Sequence, residues 1–185
     1  MARIQNNILF EGASGSVGKY IIKQRNGKTY IARKPKKPAP QSEAQKASSK
    51  RFREAMQYAV AALQNPELAA FYQSKAGNGK SACNMAVADY CKPPVIGNVN
   101  TENYNGHPGD VIRMCITDNG RVVSARVSIS KNDVVAEEGE AVVMEDGITW
   151  IYVAITAIDG VEGMKIDVRA WDLAGRESFV VVALA

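Results

Sequence analysis

One histidine and three cysteines are all the imidazole and thiol chemistry this 185-residue chain holds. The histidine, His107, sits beside Pro108 in a turn-rich stretch, and Cys83, Cys91 and Cys115 are odd in number and irregular in spacing. No C-x2-C pair exists, so no zinc spacing is present. A secreted disulfide framework favours an even count, so the three read as reduced thiols in or near the core. Covalent catalysis needs a nucleophile within reach of a base. No local pattern supports pairing Cys83 or Cys115 with His107.

Long apolar runs are missing too. No stretch reaches the about 18 apolar residues of a membrane helix. The opening residues lead only to Ile8, Leu9 and Phe10 before Glu11 interrupts, short of the about 7–15 apolar residues of a secretory signal core. The expectation is a cytoplasmic chain with no membrane contact. Composition is otherwise ordinary, 46% hydrophobic and 23% charged, with length enough for a real core in one domain or two small ones.

Two motifs imitate chemistry. Gly77-Asn78-Gly79-Lys80-Ser81 matches the end of a phosphate-binding loop. The first glycine of that pattern would fall at Ser74, and the preceding segment reads as helix rather than strand. A helix–helix turn is the better reading. Glu137-Glu138-Gly139-Glu140 offers paired carboxylates. General acid–base work needs one of them buried, and the run reads as a solvated acidic turn between strands.

The chain falls into a head and a body. Val17 to Gln24 and Lys28 to Arg33 are rich in β-branched and aromatic residues, and Asn26-Gly27 between them is a strong hairpin signal. Gly12, Gly15 and Gly18 mark a turn or bulge ahead of the first strand. Lys34 to Pro40 holds three prolines and reads as an extended basic connector. Ser42 and Gln45 fit a capping box for a helix running to Leu63, whose apolar residues recur at helical spacing. Asn65-Pro66 opens a second helix ending near Gly77, and a third spans Ser81 to Tyr90 before Pro93-Pro94.

Beyond Pro94 the period changes to two. Candidate strands are Val95 to Val99, Val111 to Thr117, Val122 to Ile129, Glu140 to Met144, Ile148 to Ile155, Met164 to Trp171 and Ser178 to Leu184. Strands this short, separated by turn residues, point to a sandwich of immunoglobulin-like architecture. The fold expectation is α+β overall: an N-terminal β-hairpin plus two or three helices, then an all-β immunoglobulin-like sandwich of about seven strands. The domain expectation is a basic hairpin and helical region over residues 1–93 and the sandwich over 94–185.

Trp150-Ile151-Tyr152-Val153-Ala154, and Lys165 through Ala170-Trp171-Asp172-Leu173-Ala174-Gly175, resemble bacterial immunoglobulin-like and fibronectin-like domains. The resemblance covers about residues 94–185 and implies a fold that binds partners or acts as a spacer, with no catalytic residues to carry over. The chain lacks the inter-sheet Cys pair of antibody domains. Gly15-Ser16-Val17-Gly18-Lys19, Arg25-Asn26-Gly27-Lys28-Thr29-Tyr30, Arg33-Lys34-Pro35 and Gln45 to Phe52 resemble the start of uncharacterised bacterial proteins with basic, glycine-rich hairpin heads. That resemblance implies no activity.

Charge divides the chain most sharply. Residues 1–55 carry thirteen Lys/Arg against three acidic side chains, a balance of +10; residues 56–185 carry ten against sixteen, a balance of −6. A basic head implies an anionic partner. In the hairpin, Lys19, Lys23, Arg25, Lys28 and Arg33 are interleaved with Tyr20 and Tyr30; Lys34, Lys36 and Lys37 lie on the connector; Lys46, Lys50, Arg51 and Arg53 lie on the first helix. Cations among aromatics suit phosphates and stacked bases. They equally suit an acidic protein surface, a neighbour's or the chain's own. The expectation is a non-enzymatic interaction or assembly protein whose partner is another protein or a second copy. The alternative is a nucleic-acid-binding protein using the hairpin and helix. No cofactor, metal or small-molecule substrate is expected.

Overall fold

The structure, a computed structural model, describes residues 2–4, 10, 12–25, 27–35, 40–77 and 79–184. The chain divides into two compact units, residues 1–49 and 50–185. The second unit therefore holds helices as well as sheets, a grouping that differs from the division at 93/94 expected above.

The first unit is built on an antiparallel sheet in the order β1-β4-β3-β2. Its strands are β1 (Ala2–Ile4), β2 (Gly15–Val17), β3 (Tyr20–Arg25) and β4 (Lys28–Arg33). The sequence pointed to β3 and β4 alone, and the glycine-rich stretch ahead of them forms β2. Gly18, at φ 54°, turns β2 into β3, and Gly27, at φ 68°, turns β3 into β4. Asn26 of the anticipated turn lies outside the described residues. One face of the sheet buries Ile22 and Thr29, and Gln24 Nε2 donates to Thr29 Oγ1 at 2.7 Å. Lys34 and Pro35 follow in irregular chain; Lys36 and Lys37, with the middle of the expected connector, lie outside the described residues.

Helix α1 (Glu43–Ala62) begins at the expected capping box, in which Gln45 N donates to Ser42 Oγ at 3.3 Å and Ser42 N donates to Gln45 Oε1 at 3.0 Å. Helix α2 (Pro66–Lys75) is capped by Asn65, whose Oδ1 accepts from Glu67 N, and α3 (Ala82–Cys91) by Ser81. Ser81 is thus a cap and the segment before its loop is a helix, the opposite of a phosphate-binding loop. Ala59, Ala62, Tyr72 and Ala86 form a small helical core, against which Leu173 packs from the far end of the chain.

Two further antiparallel sheets complete the second unit. One has the order β5-β6-β10-β9 and the other β12-β11-β7-β8. Their strands are β5 (Val95–Asn100), β6 (Val111–Thr117), β7 (Val122–Lys131), β8 (Val134–Glu140), β9 (Val142–Val143), β10 (Thr149–Val153), β11 (Met164–Asp172) and β12 (Glu177–Ala183). Alternation sets the inner faces. On β11, Met164, Ile166, Val168 and Ala170 are fully buried while Lys165 and Arg169 face out. Ile112, Met114, Ile116, Trp150 and Tyr152 of the first sheet join residues of β7 and β11 in one core. The fold is mixed α+β and mostly β.

The expected fourth strand, Glu140 to Met144, divides. β8 pairs with β7 in one sheet and β9 with β10 in the other. Between them Ala141 is buried and donates its N–H to Ala125 O at 2.8 Å. This places eight strands, rather than about seven, in residues 95–183. The acidic run lies in β8 and is not a solvated turn. Glu137 is 5% exposed, accepting from Tyr152 Oη, Ile155 N and Thr156 N. All three cysteines are free thiols. No helix among the described residues is long and apolar enough to cross a membrane.

Candidate anion-contact face

Strand pairing decides which basic residues of the head act together. β3 and β4 pair in the register Tyr20↔Arg33, Ile21↔Ala32, Ile22↔Ile31, Lys23↔Tyr30, Gln24↔Thr29 and Arg25↔Lys28. Directly opposed residues share a face. One face therefore carries Ile22, Ile31, Gln24 and Thr29, the packed side, with Tyr20 and Arg33 at its end. The other carries Lys23, Arg25 and Lys28 around a half-buried Tyr30, beside Ile21 and Ala32.

The fourteen expected contact residues are thus divided. Lys23, Arg25, Lys28 and Tyr30 are brought together. Tyr20, 48% exposed, and Arg33 are turned to the opposite face. Lys19 and Lys34 stand at the strand ends, where Lys34 N donates to Lys19 O at 2.8 Å. Lys46 is engaged by Glu43 at 2.8 Å. On α1, Lys50 and Arg53 lie opposite the buried Ala55, Ala59 and Ala62, with Arg51 exposed around the helix from them. Lys36 and Lys37 lie outside the described residues.

Among the described residues, Lys23, Arg25 and Lys28 make no ion pair. The cations on the outer face of β12-β11-β7-β8 behave differently. Arg126 is held by Glu138 at 3.1 Å and Glu140 at 2.7 Å, Lys165 by Asp133 at 2.6 Å, and Arg169 by Asp167 and Glu177. That face neutralises itself, whereas on the head face no such pair forms among the described residues. Like charges directly opposed, as Arg25 and Lys28 are, cost roughly 0.2–1 kcal/mol in a sheet. An anion laid across the pair removes that repulsion and forms charge-assisted hydrogen bonds.

His107 is exposed in a turn where its N–H and that of Asn105 donate to Asp110 Oδ2 at 2.9 and 2.7 Å. Glu137 has every donor it needs and is a strut between strands. Among the described residues no group of three metal-ligating side chains is arranged to hold an ion.

No family model matches the chain, and no curated protein is similar to it. Among solved structures, an engineered protein aligns with 60% of this chain and 30% of its own, at 12% identity and a TM-score of 0.37. That likeness carries no argument about fold or function.

Proposed function

We propose that the chain is a non-enzymatic interaction or assembly protein: an immunoglobulin-like sandwich joined to a cationic sheet head that docks on an acidic protein surface. The observation that carries the reading is the face on which Lys23, Arg25 and Lys28 gather around Tyr30 with no ion pair among the described residues. Two strand orders support the immunoglobulin-like part. In chain order, β5-β6-β10-β9 corresponds to strands A-B-E-D and β12-β11-β7-β8 to G-F-C with an added C′ strand. Three unpaired thiols suit the reducing cytoplasm. The net −6 of residues 56–185 makes the body of a second copy an acidic surface of the required sign.

Sedimentation velocity of the intact chain over a salt series tests the docking. The expected result is association that weakens with salt and is lost in the Lys23→Glu/Arg25→Glu/Lys28→Glu variant. Association that ignores both salt and the triple change, or none at any concentration, rejects it.

A second reading is supported by Tyr30. Directly opposite Lys23 and about 6.7 Å along β4 from Lys28, it offers a stacking platform beside phosphate contacts, which suits an extended single strand of nucleic acid. Three phosphate contacts to a single strand give a log–log salt slope of about −2. Titration with a labelled oligonucleotide distinguishes the readings: a slope near this value, lost in the triple variant, selects nucleic acid.

A further inference from the structure

Three aspartates from distant parts of the chain meet where the helices rest on the sheets. Asp89, on α3, is 1% exposed, and Asp172, at the end of β11, is 2% exposed. Asp118, in the turn between β6 and β7, joins them through Gly120, whose N–H it accepts and whose Cα packs against the Asp89 carboxyl. Packing here is close: a Cβ added to Gly120 would lie 2.1 Å from Asp89 Oδ1.

Donors reach only one oxygen of each carboxyl. Asp89 Oδ2 accepts from Tyr72 Oη at 2.6 Å, and Tyr72 Oη is in turn 2.7 Å from Tyr58 Oη. Asp118 Oδ2 accepts from Gly120 N at 2.8 Å, and Asp172 Oδ1 from Arg176 N at 2.6 Å. The other three oxygens, Asp89 Oδ1, Asp118 Oδ1 and Asp172 Oδ2, are buried without a partner.

The cations nearby form no ion pair with the cluster among the described residues, although the Arg176 charge favours the ionised Asp172 and the Arg176 Nε is buried without a partner. Lys75 Nζ donates to Gly120 O at 3.1 Å and lies over Phe71, as does Arg121; the Arg176 guanidinium lies over Tyr90 at 5.0 Å. Buried charge without a counter-ion is expensive, and protonation is the usual escape. A proton on one carboxyl also supplies the donor that the orphaned oxygens lack.

We propose that one proton held between Asp89 and Asp118 fastens the helical layer α2–α3 to the sheet turns, making this docking a pH-sensitive latch. Its direction follows from burial, which, with the negative charges of Asp118 and Asp172, pushes the Asp89 carboxyl up to about 7 against the pull of Tyr72. An acid whose pKa is raised on folding contributes stability that is complete below its unfolded value, near 4, and is lost as pH rises to the folded value. The latch is therefore tightest in mild acid and fully released above about pH 7.

Amide hydrogen exchange of α2 and α3 on the full chain, corrected for intrinsic rates, tests this with β11 amides as the internal reference. One linked proton makes the opening constant of the helices rise about tenfold per pH unit between about pH 5 and 7, then level off. Asp89→Asn keeps an oxygen for Tyr72, supplies its own N–H donors and abolishes the slope. If Asp89→Asn does not fold, Asp118→Asn serves, since its amide replaces the shared proton and removes one negative charge. A flat or opposite slope in the unmodified chain, or a slope surviving in the folded variant, overturns the proposal. So does recovery of protection at pH 8 on adding calcium or magnesium chloride, which would make the cluster a cation site.

Discussion

Tyr152 donates a 2.5 Å hydrogen bond to Glu137, and both residues are at most 5% exposed. The bond ties β10 of one sheet to β8 of the other. Burial pushes the Glu137 carboxyl up, but Tyr152 and the N–H groups of Ile155 and Thr156 outweigh it and the net shift is downward. A lowered acid contributes stability that is present above its unfolded pKa and lost as pH falls through the folded one. Glu137→Gln should therefore destabilise the chain by about 1.5–3 kcal/mol at neutral pH and flatten the stability loss below about pH 4. Urea denaturation at several pH values measures both; an unchanged acid limb would remove Glu137 from this role.

Arg25 and Lys28 give a prediction in which stability and binding part company. Lys28→Glu converts an opposed like pair into an opposite pair, worth about 0.2–1 kcal/mol to the sheet. It also places a negative charge on the proposed contact face. The head should exchange its β3 and β4 amides more slowly while the salt-dependent association weakens. Were the face only a solvated edge, stability would rise and association would not change.

Gly120 allows Asp89 its place. Gly120→Ala would place an ideally positioned methyl group 2.1 Å from Asp89 Oδ1, so the carboxylate or the turn must move. Overpacking of this kind costs about 1–3 kcal/mol. Most of the loss should fall on α3 rather than on the sheets, which exchange protection resolved by element would show. Uniform loss across β6, β7 and β11 would mean that the turn itself had failed.

Much of this architecture is legible where one local pattern decides the element. β6 runs Val111–Thr117 as the alternation implies, and Asn65 and Ser81 cap the helices that their spacing announces. β8 is hidden because Glu137, Glu138 and Glu140 are poor strand formers, held there by Tyr152 and Arg126. The aspartate cluster is invisible for a related reason. Asp89 follows the small apolar residues Ala86, Val87 and Ala88 in α3, and its companions, a turn residue and the last residue of β11, lie tens of positions away. At the head, charge is plain in the sequence, but only the β3–β4 register separates Lys23, Arg25 and Lys28 from Arg33.

The turn that creates β8 is testable by itself. Asn132 and Asp133 both have positive φ, 53° and 62°, as a type I′ hairpin turn requires. Asn and Asp tolerate this left-handed region, whereas a β-branched residue there costs about 1–2 kcal/mol. Asn132→Val should lower stability by about that amount, and Asn132→Gly should match or exceed the unmodified chain. Asp133→Gly relaxes the backbone similarly but gives up the 2.6 Å contact with Lys165. That pair is largely exposed and screened by solvent, so its loss offsets only part of the backbone gain. A urea midpoint order of Asn132→Gly, then Asp133→Gly, then Asn132→Val identifies backbone conformation, rather than the ion pair, as what holds the edge strand in place.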